Sequence, residues 1–197
     1  NESEPTWSPD GRYIAFVAKR GTDKVAQLYV IPADGGEAVR VSDVPTGVAT
    51  PKWFPDSARI GFISRVWPDV PDWQKARERL EEREKSKAKA QTWERPPVTW
   101  WDHFIDDRQA HLFSIPREGG TPTAITLGTG YELSRRETNS DSFDISPDGT
   151  EVAFAANVDK TGVDSNFDVF VVPASGGQAR NLTTDNAADD GNPRYSP

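Results

Sequence analysis

The chain has no cysteine and no methionine, and only two histidines among 197 residues. Without cysteine it forms no disulfide, offers no thiolate to a metal and carries no cysteine nucleophile, while cytoplasm and periplasm both stay open as compartments. His103 and His111 are the whole supply of imidazole base, and the nucleophile-elbow pattern G-x-S-x-G does not occur. A Ser–His–Asp triad inside these residues is therefore not expected. The two histidines stand eight apart with no third ligand near them, which is not the pattern of a zinc site. No run reaches the roughly 18 to 20 apolar residues of a membrane helix, and no charged-then-apolar leader opens the chain.

Positive charge is also in deficit. With 23 Lys and Arg against 31 Asp and Glu, the formal charge is −8, so the surface repels phosphate backbones and nucleic acid is not an expected partner. The length allows one domain with a substantial core, although hydrophobic residues make up only 35%, at the low end for such a domain. The chain begins at Asn1 rather than Met and stops at Pro197 within an unfinished phrase. On that ground a piece of a longer protein is expected.

What the sequence does have is repetition. WSPDGRYIAF from Trp7, WFPDSARIGF from Trp53 and ISPDGTEVAF from Ile145 align, with Pro9, Pro55 and Pro147 separated by 46 and then 92 residues, one and two units of the same period. Tyr195-Ser196-Pro197 opens a further copy. A second phrase follows each: LYVIPADGGEAVRVS, LFSIPREGGTPTAIT and VFVVPASGGQARNLT. Each unit reads as four short antiparallel strands, hence an all-β partial propeller of four-stranded blades with one helical insertion. The expected limits are a blade at 5–46, a blade at 51–127 interrupted at about 66–107, a blade at 140–184 and the start of another at 192–197.

The repeated Ser-Pro-Asp-Gly is expected to be a turn. Ser8 accepts from backbone, Pro9 fixes φ, Asp10 suits the third position and Gly11 tolerates positive φ. Ser57 replaces that glycine in the second copy, at a cost of up to about 1 kcal/mol if it is left-handed. Near-continuous apolar runs after the turns predict strands covered on both faces, and the terminal blades are expected to expose apolar faces. Gly35-Gly36, Gly119-Gly120 and Gly176-Gly177 read as hairpin turns, since no helix follows them as a phosphate loop requires.

The segment that breaks the period contains WQKARERLEEREKSKAKAQ, from Trp73 to Gln91, rich in helix formers and started by Pro71 and Asp72. Trp73, Ala76 and Leu80 form a thin apolar stripe, and Glu81 and Lys85 an i,i+4 pair. Glu81-Glu82 suits a substrate ammonium, yet a solvated charged face is the plainer reading. Trp100, Trp101, His103 and His111 follow, the aromatics read as anchors onto the parent fold, and Asp106-Asp107-Arg108 as a hairpin turn back into the blade. Asp159, Asp164, Asp168 and the stretch from Asp185 to Asp190 lack EF-hand spacing and read as solvated loop and turn formers. No catalytic, cofactor or metal residue is assigned, and no substrate-binding residue is singled out.

SPDG-x-x-[IV]-A-F followed by [LV]-[YF]-x-[IV]-P-x-x-GG resembles the repeats of TolB-like periplasmic propellers and of the propeller domain in prolyl-oligopeptidase-type serine peptidases. The interrupting SKAKAQTWERPPVTWWDHFIDDRQAHLFSIP is similar to a segment in the acylaminoacyl-peptidase and dipeptidyl-peptidase V branch, as is NLTTDNAADDGNPRYSP. Pro96-Pro97 and Trp100-Trp101 depart from that pattern, so substrate details are not carried over. The resemblance implies a propeller that gates a C-terminal α/β-hydrolase domain lying outside this chain. Through that domain the protein would cleave short peptides, releasing dipeptides or acylated amino acids. The alternative it leaves open is a non-enzymatic TolB-like propeller that binds a protein partner. Oligomeric state is not specified, a homo-oligomer included.

Overall fold

The computed structural model describes residues 2–70, 72–87, 99–105, 107–161 and 166–197. Pro71, the expected helical residues 88–91, Pro96-Pro97, Asp106 and Asp164 lie outside the described residues. The chain begins with β1 (Glu2–Trp7), β2 (Tyr13–Ala18), β3 (Gln27–Pro32) and β4 (Val39–Arg40), which pair in sequence order as one antiparallel sheet. Then come β5 (Ala49–Trp53) and β6 (Arg59–Val66), followed by the insertion with α1 (Trp73–Lys85) and the small hairpin β7 (Thr99–Trp100) and β8 (His103–Phe104). Strands β9 (Gln109–Pro116) and β10 (Thr123–Ala124) complete the second sheet, in the order β5-β6-β9-β10. The third sheet is β11 (Phe143–Ile145), β12 (Glu151–Asn157), β13 (Phe167–Pro173) and β14 (Arg180–Asn181). The architecture is all-β: successive four-stranded antiparallel blades of a partial propeller, with one helix.

The insertion does not disturb the blade that carries it. Strands β6 and β9 stay paired without a break from Arg59 opposite Pro116 to Val66 opposite Gln109. Strand pairing over eight residues holds the ends of the excursion together, so the intervening chain is free to take its own structure.

Each Ser-Pro-Asp-Gly corner closes on itself. The N–H of Gly11, Ser57 and Gly149 donates to the carbonyl of Ser8, Phe54 and Ser146 at 2.9, 3.0 and 2.8 Å. Ser8 Oγ accepts from the Tyr13 N–H at 2.9 Å and donates to Asp10 at 2.6 Å. The Ser146 hydroxyl, then the N–H and hydroxyl of Thr150, hold the Asp148 carboxyl down to about 2. Phe54 has no hydroxyl to offer, so in the second blade Asp56 takes the N–H groups of Ala58 and Arg59 itself.

Ser57 does sit left-handed, at φ 55°. The side chain supplies a compensation that the expected strain omits: its hydroxyl accepts from the Asp10 N–H of the preceding blade at 3.1 Å. Ser57→Ala, which keeps the strain and loses that bond, is expected to cost about 1 kcal/mol in urea denaturation. Ser57→Gly loses both and should lie within about 0.5 kcal/mol of the parent.

The blades stack by a rule that repeats. One cross-strand aromatic pair lies on one face of each sheet: Phe16 opposite Tyr29, Phe62 opposite Phe113, and Phe154 opposite Phe170. Their ring centroids are 5.8, 5.8 and 5.6 Å apart. Phe62 and Phe113 pack on Ala15, Val17, Leu28 and Val30 of the preceding blade. Phe154 and Phe170 pack on Ile63, Ala110 and Leu112 in the same way. Small and aliphatic residues on one face thus receive aromatic rings from the next, which fills the volume without overlap. Strand β6 gives Ile60 and Phe62 to one core and Ile63 to the other, which is why its apolar run barely alternates.

On the first blade the expected open apolar face is found at Trp7, 60% exposed opposite Ile14, but not over the aromatic pair. Phe16 and Tyr29 are only 7% and 6% exposed. The Arg20 guanidinium lies 5.0 and 5.2 Å from their ring centroids, and the Tyr29 hydroxyl donates to Asp23 at 2.7 Å. A cationic stem and a planar head cover apolar surface while keeping charge in water, so Phe16 and Tyr29 are capped by their own blade.

Candidate functional site

Two regions carry side chains beyond what the blade needs: the first strands of neighbouring blades and the insertion. Strands β1 and β5 contact one another directly. Both contain a bulge, between Ser3 and Thr6 and between Ala49 and Lys52. Glu4 and Thr50, each followed by proline, take positive φ there, and Asn192 before Pro193 does the same. A bulge frees an N–H from the ladder. That of Thr50 donates to the Glu4 carboxylate of the blade before it.

Further polar contacts stitch blade to blade. Trp53 Nε1 donates to the Thr6 carbonyl at 3.0 Å. Lys52 Nζ donates to the Phe143 carbonyl at 2.6 Å and to Asp144 and the Ser140 carbonyl at 3.0 and 3.1 Å. Burial pushes the Lys52 ammonium below its ordinary value, and Asp144 offsets part of that. Burial pushes the Asp144 carboxyl up, but the Tyr195 N–H and Lys52 together hold it below the usual carboxylate range. These contacts set the spacing of the first strands. The sequence signal for them, a proline four residues before each turn proline in EPTWSP, TPKWFP and NPRYSP, was not used in reading the sequence alone.

The helix α1 starts where expected, with Asp72 accepting from the Lys75 N–H at 2.7 Å. It ends earlier than Gln91, at Lys85, where the Ser86 N–H turns back to the carbonyls of Glu82 and Arg83. Of the apolar stripe, Ala76 is buried and Trp73 packs its ring 5.1 Å from Phe113. Bidentate contacts from Arg79 to Asp69 and from Arg83 to Asp107 tie the outer face down. Glu81 and Glu82 are exposed, with Glu81 3.5 Å from Lys85. They stand on the solvated side of the helix.

The aromatic residues of the insertion divide, against the expectation that they all anchor. Trp67 is buried under the guanidinium groups of Arg79, Arg83 and Arg108, 4.7, 4.7 and 5.5 Å from its ring centroid. Trp101 and Phe104 remain 86% and 64% exposed on the β7–β8 hairpin, where a two-stranded ribbon has too little surface to cover them. His103 pairs through its backbone with Trp100 in that hairpin. Beneath α1 lies a cleft of about 190 Å³ with mostly apolar walls from the insertion and the edge of the second blade.

His111 is far from any catalytic arrangement. It is 3% exposed on β9, with Nδ1 3.1 Å from Thr126 Oγ1 and Nε2 3.3 Å from Gln109 Oε1. Burial pushes its pKa down to about 4. The unfolded chain takes up this proton near pH 6.5 and the folded chain only near 4, so the stability is intact above 6.5 and declines as pH falls towards 4. Between pH 7 and 5 the expected loss is about 2 kcal/mol, read from urea midpoints. His111→Asn should remove most of that slope.

The acidic residues are mostly local. Asp159 accepts from the Thr161 N–H at 2.9 Å, and Asp189 from the Phe167 N–H at 2.9 Å. Asp190 accepts from Asn186 Nδ2 at 2.8 Å. Asp168 departs from the solvated reading: it is buried on β13 and accepts from Asn181 Nδ2 at 2.5 Å. Among the described residues no three His, Cys, Asp or Glu side chains gather as a metal ion requires.

No protein-family model matches the chain. An uncharacterised peptidase of Bacillus subtilis, YuxL, is 48% identical over 58 residues, which is 29% of this chain and 9% of the relative. Dipeptidyl-peptidase 5 of Porphyromonas gingivalis is 25% identical over an alignment covering 100% of this chain and 28% of that protein. The chain thus spans well under a third of either relative. Among solved structures, the Pyrococcus horikoshii acylaminoacyl peptidase superposes with a TM-score of 0.60 at 16% identity, covering 92% of this chain and 24% of that one. A TolB-type protein from Agrobacterium tumefaciens superposes at 0.52 with 19% identity, covering 89% of this chain and 46% of that one. The superpositions speak for the propeller fold. Both curated relatives are peptidases, so the chain is similar in sequence to peptidases and in fold to the propellers of an acylaminoacyl peptidase and of a TolB-type protein.

Proposed function

We propose that the chain is the first part of a substrate-gating propeller in a serine peptidase that releases dipeptides or acylated amino acids from short peptides. The reaction is acyl transfer through a serine ester, carried out by an α/β-hydrolase domain outside these residues. The propeller contributes by steric exclusion of larger substrates and by part of the pocket wall. The observation that carries this reading is the helix-containing insertion between β6 and β9, set in a chain that aligns over its whole length with a dipeptidyl peptidase. The residues on the first strands support the reading, because their contacts hold neighbouring blades together.

A second reading, a TolB-like propeller that binds a protein partner, is favoured by the likeness to the Agrobacterium tumefaciens structure, which is a likeness of fold. The two readings part in one experiment. The 197-residue chain alone should not turn over chromogenic dipeptide substrates. The full-length gene product should hydrolyse them, and a Ser→Ala change in a downstream G-x-S-x-G should abolish that hydrolysis. A gene product with no such motif and no hydrolysis would remove the peptidase reading.

A further inference from the structure

Aspartate is followed by glycine four times, at Asp10-Gly11, Asp34-Gly35, Asp148-Gly149 and Asp190-Gly191. With no side chain beside it, the glycine nitrogen reaches the aspartate Cγ more readily than the nitrogen of any larger residue. Ring closure needs a carboxyl that takes a proton, so that water can leave. It also needs a side chain free to turn towards the main chain and an N–H free to be given up. The fold supplies these unequally.

Both Ser-Pro-Asp-Gly corners withhold all three. Asp10 accepts from the Ser8 hydroxyl at 2.6 Å and the Arg12 N–H at 3.0 Å. Asp148 accepts from the Ser146 hydroxyl at 2.6 Å and from the N–H and hydroxyl of Thr150 at 3.0 and 2.8 Å. These bonds, the serine hydroxyls first, hold both carboxyls below the usual carboxylate range and make the acid form scarce. The N–H groups of Gly11 and Gly149 are engaged at 2.9 and 2.8 Å. Asp190 accepts from Asn186 Nδ2 through both oxygens, at 2.8 and 3.0 Å, and its own N–H donates to the Phe167 carbonyl at 2.6 Å. Asp34 stands apart. It is exposed in the hairpin between β3 and β4, and among the described residues its carboxylate has no hydrogen-bond or ion-pair partner. The Gly35 N–H donates to the Pro32 carbonyl at 3.2 Å, against 2.9 and 2.8 Å for Gly119 and Gly176 in the other two hairpins. Nothing lies within 4 Å of where a Gly35 Cβ would stand, so the turn has room for a ring.

We propose that Asp34-Gly35 is a site of spontaneous covalent modification, at which the chain passes through a succinimide to isoaspartate. The Gly35 nitrogen bonds to Asp34 Cγ as a Cγ–O bond breaks, and the amide proton and the carboxyl hydroxyl leave as water. A water molecule then opens the ring at either carbonyl, returning aspartate or giving isoaspartate. In isoaspartate the main chain runs through the Asp34 side chain and is one carbon longer. That carbon falls between β3 and β4, which pair only at Tyr29 with Arg40 and Val30 with Val39. The other hairpins carry a control at the same position: Glu118, whose ring would be six-membered, and Ser175, which has no carboxyl. The site is independent of the peptidase reading.

The test ages the full-length gene product in oxygen-18 water at neutral pH and maps its peptides by mass spectrometry, since each ring opening leaves one heavy oxygen behind. The Asp34 peptide should gain at least about tenfold more label than those of Asp10, Asp148 and Asp190, where more than one hydrogen bond must open first. It should also split into an aspartyl and an isoaspartyl form, of which a protease specific for aspartate cuts only the first. In urea, with the fold removed, all four pairs should label at similar rates. Asp34→Glu, the residue that the second blade carries at this position, should abolish the label there and leave the other three unchanged. Equal labelling of the four pairs in the folded protein, the same ranking in urea as without it, or an Asp34 peptide with no label or no isoaspartyl form would overturn the proposal.

Discussion

Replacing Phe154 with alanine is expected to cost about 3–5 kcal/mol of stability, read as a lower urea midpoint at an unchanged slope. Phe154 is fully buried, stacked against Phe170, and packed on Ile63 and Leu112 of the second blade and on Ile125 and Leu133 of the chain that follows it. Phe170 in turn meets Tyr131 at 4.2 Å, so the ring stands in a continuous aromatic wall. Deleting it removes the transfer free energy of the ring and leaves a void between two rigid sheets that cannot collapse to fill it. Phe104→Ala, at a position 64% exposed, should stay within about 0.5 kcal/mol. Equal effects at the two positions would mean that the second and third blades do not share the core described.

Gly176→Ala is expected to be nearly as damaging, by about 2–5 kcal/mol, from a left-handed backbone combined with a steric clash. Gly176 has φ 82°, and a Cβ there would stand 2.7 Å from the Ala124 carbonyl oxygen on the outer strand of the preceding blade. Gly119 meets Val41 of the first blade in the same way, at 3.1 Å. The first glycine of the second and third pairs therefore does more than turn a hairpin: it lets one blade approach the backbone of another. At Gly35, which has φ 104° and no neighbour within 4 Å, the same change should cost only about 1–2 kcal/mol for the backbone conformation. At Gly177, where the space is open, the effect should likewise be confined to the backbone. A Gly176→Ala protein as stable as Gly35→Ala would show that the blades can move apart without penalty.

Much of the fold was legible because its determinants are local. Ser8 through Gly11 supply their own turn, Asp72 its own cap, and the apolar runs their own strands; each needs only neighbours along the chain. The 46-residue period exposed the insertion because an interruption shows against a regular repeat. The early end of α1 at Ser86 was less legible, since a lysine- and alanine-rich continuation has high helix propensity whatever the chain finally does. Trp101 was misjudged as an anchor because composition does not say whether a hairpin has a surface to lie on.

The candidate sites were less legible than the fold. Ser57 looked like a defect in the turn because its compensating partner, Asp10, sits on another blade, 47 residues earlier. The bulges at Glu4 and Thr50 had a signal in the repeated proline, but the bond between them joins two blades. The cleft under α1 has no motif at all: its walls come from three strands, from a helix and from the loops between them.

By itself, the sequence determined the repeat, the strands, the turns and the place where the repeat is interrupted, because these depend on hydrophobic period, proline φ and hydrogen bonds between near neighbours. Only the tertiary structure decided which face each apolar residue takes. Phe16, Phe62 and Phe154 occupy the same place in the repeated phrase, yet Phe62 and Phe154 fill the core against a preceding blade while Phe16 lies beneath Arg20. The physical reason is that a repeat specifies the residue, whereas burial depends on what stacks against it, and stacking is set by surfaces distant in the chain.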